Sequence, residues 1–289
     1  MPMNKVVHAA QRAAFSAAID VAINAVRGKG TEKLSENAVK LVNLAEPLLK
    51  DRYPASAFDA ARKFVSDPNG KWMQYAYRAI NEIDPHVLKM NALNLVYEGM
   101  FSGYNYVCEL REKYDCNMPW ILLFDPTSAC NLRCTGCWAA EYGHNLNLDL
   151  DTIDSIIRQG KELGTHMYIY TGGEPMVRKA DLIRLCEMHP DCEFLAFTNG
   201  TLIDEAFCQE MLRVKNFIPA ISLEGFEAAN DGRRGQGIFQ KVQAAMKLLK
   251  DHKLPFGISC CYTSKNAEII GSEESVSYTH LTLPTILLV

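Results

Sequence analysis

The sequence predicts an α/β protein in which an all-α N-terminal region precedes a partial (β/α)6 TIM-like barrel. Residues 4–113 are rich in Ala, Leu, Lys and Glu, and their apolar residues recur every three or four positions, which is typical of helices. From residue 121 onward, short apolar runs alternate with amphipathic stretches, which is typical of parallel strands joined by helices. The 289 residues, 48% of them apolar, are enough for two domains.

Five helices are predicted in the N-terminal region, which we assign to residues 1–116. Glycine, proline and short polar runs separate these helices, because such residues stop a helix or start the next one. The breaks fall at Gly28 and Gly30, before Pro54, at residues 66–70 and before Pro85. None of these helices carries residues at a catalytic spacing, so the aromatic side chains of this region are interpreted as packing residues.

Five strands are predicted in the barrel domain, which we assign to residues 117–274. The strands are placed near residues 121–124, 167–170, 194–197, 217–222 and 256–262, and the helices between the later ones at 150–163, 179–188, 204–213 and 237–251. Functional groups of a parallel barrel collect where its strands end. Polar and glycine-rich motifs follow four of the predicted strands, so one shared site is expected there.

Composition and charge exclude some classes of protein. The 30 Lys and Arg residues against 34 Asp and Glu give a net charge of −4, so no basic excess is available for nucleic acid. The longest apolar stretch, residues 9–26, is interrupted by Arg12 and Asp20, which predicts no membrane segment. We therefore expect a cytoplasmic protein, in which the ten cysteines are more typical of metal binding than of disulfides.

The most informative motif is formed by Cys130, Cys134 and Cys137. Thiolates bind zinc or iron-sulfur clusters. A structural zinc site needs four ligands, and no second pair of closely spaced cysteines follows, although His144 or a distant cysteine could complete one. Three close cysteines suit a 4Fe-4S cluster with one open iron. The residues alone leave both interpretations open, and the other seven cysteines are predicted to be small buried residues.

Four motifs together resemble those of radical S-adenosylmethionine (SAM) enzymes over residues 119–266. The segment CNLRCTGC at 130–137 resembles the cluster loop of that family, and TGGEP at 171–175 resembles its glycine-rich loop. SLEG at 222–225 is similar to a motif after the fourth strand. DGRRGQGIF at 231–239 is similar to a segment of the subgroup related to molybdenum-cofactor biosynthesis protein A and to peptide-modifying SPASM-type maturases.

This resemblance implies a 4Fe-4S cluster on the three cysteines and a bound SAM. Glu174 would lie near the ammonium of SAM, Arg234 near its carboxylate and Ser222 near a ribose hydroxyl. The implied SAM contacts are Gly136, Trp138, Gly172, Gly173, Glu174, Ser222 and Arg234. The family usually has an aromatic residue in place of Gly136, so a stacking role would move to Trp138. Thr198 and Asn199 either face the substrate or cap a turn.

The implied reaction is reductive cleavage of SAM to a 5'-deoxyadenosyl radical that abstracts hydrogen from a substrate. An electron donor such as flavodoxin or ferredoxin is implied as a partner. The subgroup favours a peptide or protein substrate, with cofactor or small-metabolite biosynthesis as the alternative. A non-enzymatic zinc or iron-sulfur protein is the alternative from another class. The helical region could also serve as the principal binding surface for what the barrel modifies.

The last residues, 275–289, differ from the rest of the chain because they contain no Asp, Glu, Lys or Arg. They resemble the end of a truncated translation, which predicts a non-native tail on a chain whose natural form is longer. The alternative is that residues 281–289 provide a sixth strand of the barrel.

Overall fold

The computed structural model describes residues 5–50, 53–281 and 285–287. The chain forms two compact units, Lys5–Lys89 and a larger unit that contains the residues from Met90 onward. The boundary predicted at residue 116 follows the change from helices to strands. The compact units divide earlier, because buried side chains of residues 90–114 bond with the strands of the larger unit.

The smaller unit is a set of helices around an apolar core. Val26, Leu34 and Met73 are buried together in this core. Arg27 donates a hydrogen bond of 2.7 Å to the carbonyl of Ile83, which ties the end of the first helix to the end of the fourth. The helices are α1 (Lys5–Val26), α2 (Thr31–Leu49), α3 (Ala55–Val65) and α4 (Lys71–Glu82).

The fifth predicted helix is found as one continuous helical stretch with a π-helical middle. It consists of α5 (Pro85–Ala92), a π-helix over Leu93–Ser102 and α6 (Gly103–Tyr114). A π-helical turn shifts side chains relative to a regular α-helix. None of the described helices combines the length and the apolar character that crossing a membrane requires.

The larger unit is built on a parallel sheet whose strands are ordered as in the sequence, and this arrangement confirms the predicted fold class. In the described residues the strands are β1 (Ile121–Thr127), β2 (Met167–Gly172), β3 (Glu193–Thr198), β4 (Phe217–Ser222), β5 (Phe256–Ser259) and β6 (Thr285–Leu287). The connecting helices are α7 (Leu150–Glu162), α8 (Lys179–Met188), α9 (Glu205–Val214), α10 (Glu227–Arg234), α11 (Ile238–Asp251), α12 (Ala267–Ile270) and α13 (Glu273–Leu281). Parallel strands place all their carboxyl ends at one edge.

The two faces of the sheet have different surroundings. On one face, the Tyr168 hydroxyl donates to the carbonyl of Ile157 in α7, and its ring stacks on Phe194 with centroids 5.7 Å apart. Residues one position away in β1, Leu123 and Asp125, face the other side and are exposed. The helices therefore cover the face of Tyr168. The other face, which we call the concave face, is exposed on β1, whereas Leu195 of β3 and Ile218 of β4 are buried there.

The amino ends of the strands hold a buried polar group, Glu193. Its Oε1 accepts a 2.9 Å bond from the Asn91 amide, whereas Oε2 has no hydrogen-bond partner among the described residues. Burial raises the pKa of Glu193 to about 8. Asn94 donates at 2.9 Å to the carbonyl of Cys192 and so joins the π-helix to the same end of the sheet.

The last described helix, α13, packs within the larger unit. The ring of Tyr278 in α13 lies 6.1 Å from that of Phe226, and Ser275 and Thr279 are buried. β6 pairs in parallel with β5, which agrees with the alternative of a sixth strand for residues 285–287. Residues 282–284 and 288–289 lie outside the described part of the chain.

Two expectations about cysteines are wrong. β5 ends at Ser259, so Cys260 and Cys261 lie in the following loop and not on the strand that was predicted to reach residue 262. Both are exposed, as is Cys116, although they were predicted to be buried. The prediction that the remaining cysteines are buried is confirmed for Cys186, Cys192 and Cys208.

Candidate functional site

Three cysteines converge in the loop after β1, which we call the cysteine loop (residues 128–137). Cys130, Cys134 and Cys137 are free, partly exposed thiols that line one cavity of about 380 Å³. Gly173 from the loop after β2 and His144 line the same cavity. Burial raises the pKa of Cys130 and of Cys134, so a bound metal would displace their protons.

The described residues contain a compact group of potential metal ligands outside the cysteine loop. A zinc ion with sulfur ligands at about 2.3 Å needs sulfurs about 4 Å apart. Among the described residues, the compact group with all ligand atoms within 4.8 Å of one another is that of His166, Asp191 and Cys192, and the three loop cysteines do not form such a group.

The His166 group lies at the opposite end of the sheet from the cysteine loop. Asp191 is paired there with Lys161 at 2.7 Å, and Nδ1 of His166 is 3.0 Å from the carbonyl of Asp191. Burial lowers the pKa of His166 and keeps its ring neutral. The charge of Asp191 is therefore already compensated by an ammonium group.

The predicted glycine-rich loop, residues 171–175, packs directly on the cysteine loop. Gly173 donates to the carbonyl of Thr127 at 2.9 Å, and the Glu174 amide donates to that of Ala129 at 2.7 Å. A Cβ on Gly173 would lie 2.2 Å from the Ala129 oxygen. Close packing of the two loop backbones thus explains why residue 173 is a glycine. The SAM contact implied for Gly172 and Gly173 stays a prediction.

Gly172 makes room for an acidic side chain of β1. It adopts a φ of 101°, and a Cβ there would lie 2.8 Å from the Cβ of Asp125. Burial raises the pKa of Asp125, whose side chain lies on the concave face of the sheet. The sequence reasoning assigned nothing to Asp125, although a single acid at the end of an apolar strand is a recognisable signal.

Glu174 is used inside the protein. Its side chain is almost fully buried, and its carboxylate accepts bonds from the Met176 amide at 2.9 Å, the Thr198 hydroxyl at 2.7 Å and the Asn199 amide at 2.7 Å. Burial raises the pKa of Glu174, and these bonds offset part of the rise. The contact between Glu174 and the ammonium of SAM stays a prediction. The ammonium would have to share the carboxylate oxygens with these three donors.

Thr198 and Asn199 are occupied by turn and loop contacts. Thr198 donates to Glu174 and accepts from the Gly200 amide at 3.0 Å. Asn199 accepts from the amide of Thr201 at 3.0 Å and donates to Asn131 at 2.8 Å. These bonds favour the turn-capping alternative over a substrate contact.

A buried ion-pair group lies on the other side of the cysteine loop. The fully buried Glu224 accepts from both Arg233, at 2.8 Å, and Arg234, at 2.5 Å, on the same oxygen. Its other oxygen accepts from the Cys261 amide at 3.1 Å. Arg234 also reaches to 3.9 Å from the sulfur of Cys134. Arg234 is thus adjacent to the cysteine loop, and its role toward the SAM carboxylate stays a prediction.

The two residues implied for the adenine differ in their surroundings. Gly136 adopts a left-handed φ of 67°, which favours glycine. Trp138 is 55% exposed, at the start of a 3-10 helix over Trp138–Tyr142, and it is not among the residues that line the cavity. Ser222 lies half-buried at the carboxyl end of β4, on the concave face.

Sequence reasoning missed the residues that hold the loops together, namely Asn131, Thr201 and Glu224. Asn131 and Glu224 lie within the recognised motifs CNLRCTGC and SLEG, and Thr201 lies two residues after Asn199, so proximity to these positions was the available signal. Their pairing across distant loops leaves no trace in the spacing.

Comparisons with known proteins agree with this site. The model of the Radical SAM superfamily matches residues 124–266. The cysteine-type anaerobic sulfatase-maturating enzyme of Clostridium perfringens (strain 13 / Type A) is 29% identical over 174 residues, covering 53% of this chain and 47% of that protein. The Fe-coproporphyrin III synthase of Methanosarcina barkeri (strain Fusaro) is 26% identical over 155 residues, covering 52% and 39%. The chain spans about half the length of these relatives or less.

A solved structure has a similar fold over a larger part of this chain. Streptococcus suis SuiB bound to the precursor peptide SuiA matches with a TM-score of 0.51 and 20% identity, covering 83% of this chain and 51% of that one. The family match includes the three cysteines, the glycine-rich loop and the Glu224 group. Residues 124–266 are therefore a radical SAM domain.

Proposed function

We propose that this chain is a radical SAM enzyme that binds a 4Fe-4S cluster on Cys130, Cys134 and Cys137 and cleaves SAM to abstract hydrogen from a peptide or protein. The observation that carries the proposal is the convergence of the three thiols and Gly173 on one cavity, with Arg234 next to Cys134. Radical SAM enzymes use this combination of cluster and SAM.

The residues of the chain would divide the work between two sides of the cavity. When bound, a reduced cluster supplies the electron that cleaves the carbon-sulfur bond of SAM. The three thiolates hold it, and Arg234 offers a cation beside Cys134 for a carboxylate. The glycine-rich loop closes against the cysteine loop and fixes its backbone. Asp125 and Ser222 lie near the carboxyl ends of β1 and β4, where a substrate would approach.

A peptide or protein substrate is supported by the sulfatase-maturating name of the Clostridium perfringens relative. The Fe-coproporphyrin III synthase of Methanosarcina barkeri supports the alternative of a cofactor substrate at similar identity. An electron donor such as flavodoxin or ferredoxin completes the proposal.

Anaerobic reconstitution with iron and sulfide tests the proposal. The full chain should bind about four irons per molecule, show the electron paramagnetic resonance signal of a reduced 4Fe-4S cluster, and form 5'-deoxyadenosine from SAM under dithionite. Cys134→Ala should lose all three properties. Cys116→Ala is the matched control, because Cys116 is exposed and lies outside the cysteine loop.

The outcomes separate the proposal from its rival. Binding of one zinc ion in place of iron would identify a zinc protein. A cluster that forms but yields no 5'-deoxyadenosine would identify an iron-sulfur protein without this activity. Equal losses in Cys134→Ala and Cys116→Ala would show that the cysteine loop is not the cluster site.

A further inference from the structure

A closed ring of side-chain hydrogen bonds joins the cysteine loop to the loop after β3. The Asn131 amide donates to the Thr201 hydroxyl at 2.8 Å, and that hydroxyl donates to the Asn199 side-chain oxygen at 2.7 Å. The Asn199 amide donates back to the Asn131 oxygen at 2.8 Å. Each of the three side chains thus gives one bond and receives one, which fixes all their orientations.

The ring is anchored in the protein interior through Glu174. Asn199 is buried, and its backbone amide donates at 2.7 Å to the Glu174 carboxylate. Thr198 donates to the other oxygen of the same carboxylate. Since the Glu174 amide bonds to the Ala129 carbonyl, the three loops after β1, β2 and β3 form one connected unit.

Asn131 directly follows Cys130 and is therefore the point at which this unit reaches the thiols. Several other bonds to the cysteine loop, such as that from the Thr135 amide to the Arg233 carbonyl at 2.8 Å, use the backbone, and the Arg234 guanidinium lies 3.9 Å from the Cys134 sulfur. The Asn131 contact uses side chains alone. It can therefore be removed by substitution while the backbone bonds remain.

We propose that Asn131, Asn199 and Thr201 form a clamp that holds the cysteine loop in the conformation in which its thiols share one cluster. Asn199 is on this basis a positioning residue, and it acts on the cluster through Asn131. The clamp rests on the cluster binding proposed above. Without the clamp, Cys130 would have to be ordered when the cluster binds, so the cluster would be held less firmly.

Thr201 offers a sharp pair of variants, because it is only partly buried and its hydroxyl is the central member of the ring. Thr201→Val keeps the shape and removes the hydroxyl, whereas Thr201→Ser keeps the hydroxyl. The full chain is reconstituted anaerobically, and loss of its cluster to the iron chelator bathophenanthroline disulfonate is followed. Thr201→Val should release iron on the order of tenfold faster than the wild type, and Thr201→Ser should release it at about the wild-type rate.

Two further readouts distinguish positioning from general destabilisation. The electron paramagnetic resonance spectrum of the reduced cluster, with and without SAM, should change in Thr201→Val and return to the wild-type form in Thr201→Ser. Thermal unfolding of the chain before reconstitution should be the same in both variants. Adding Asn131→Ala to Thr201→Val should accelerate release little further, because both substitutions break the same ring.

The result that overturns the clamp is a Thr201→Val protein with the iron release and spectrum of the wild type. Independent, multiplicative effects of the Asn131 and Thr201 substitutions would also overturn it. A wild-type chain that takes up no 4Fe-4S cluster would overturn the proposed function and the clamp together. If the wild type binds the cluster and Thr201→Val matches it in every readout, the clamp proposal fails and the proposed function stands.

Discussion

Replacing Glu193 with Gln is expected to stabilise the larger unit at neutral and alkaline pH. Glu193 is fully buried at the amino end of β3, where the Asn91 amide donates to its Oε1 at 2.9 Å. Its second oxygen is without a hydrogen-bond partner among the described residues. An ionised carboxylate in this position is poorly compensated, and burial accordingly raises the pKa of Glu193 to about 8.

The size of the effect follows from the difference between the folded and unfolded pKa. The native state binds the proton of Glu193 more tightly, so its contribution to stability is complete below about pH 4.5 and is lost as the pH rises to about 8. At about 1.4 kcal/mol for each tenfold change in proton affinity, the ionised group costs about 3 kcal/mol at pH 7 and about 5 kcal/mol above pH 8. Gln keeps an acceptor for Asn91 and cannot ionise, so it removes this cost.

Hydrogen exchange of the β3 amides at increasing urea is the appropriate assay, because a chain with two units need not unfold in one step. The gain in opening free energy of Glu193→Gln over the wild type should grow from pH 5.5 to pH 9. Glu268→Gln serves as the control, since Glu268 is exposed on α12. A gain that is equal at all pH values, or a loss at pH 9, would refute the reasoning.

Two further predictions concern the glycine-rich loop and the end of the chain. Gly173→Ala should destabilise the larger unit by about 1–3 kcal/mol and reduce iron uptake, because the added Cβ would overlap the Ala129 oxygen. Gly232→Ala is the control, because a Cβ at Gly232 has free space around it. Equal iron uptake and equal melting temperatures in the two variants would contradict the packing argument. Removing residues 275–289 should lower the melting temperature by roughly 5 °C through loss of the Tyr278 packing, as measured by calorimetry. An unchanged melting temperature would support the interpretation of this segment as a non-native tail.

The strands were predictable because parallel strands are buried on both faces and therefore appear as apolar runs. The fourth strand, residues 217–222, is found at its predicted limits. The fifth was predicted to residue 262 but ends at Ser259, because the Cys261 amide turns to Glu224 and leaves the sheet. The helix over Glu227–Arg234 was missed because the segment EAANDGRR has no apolar stripe.

The candidate ligands of the site could be predicted from the sequence, whereas the residues that hold its loops together could not. The cysteines are marked by their spacing, and the glycines by their place after a strand. The partners of Glu174 could not be predicted, because Thr198 and Asn199 lie 24 and 25 positions away and local patterns end well before that distance. The same holds for the 68 positions between Asn131 and Asn199.

The sharing of Glu224 by two guanidinium groups has a consequence for ligand exchange. A buried carboxylate that loses its only cation becomes an unpaired charge, which is costly. Glu224 avoids this cost, because Arg233 and the Cys261 amide would still hold it if Arg234 turned toward an incoming carboxylate. If Arg234 binds a carboxylate, as proposed above, Arg233 would keep the buried charge of Glu224 compensated, and an anion would enter and leave without leaving that charge unpaired.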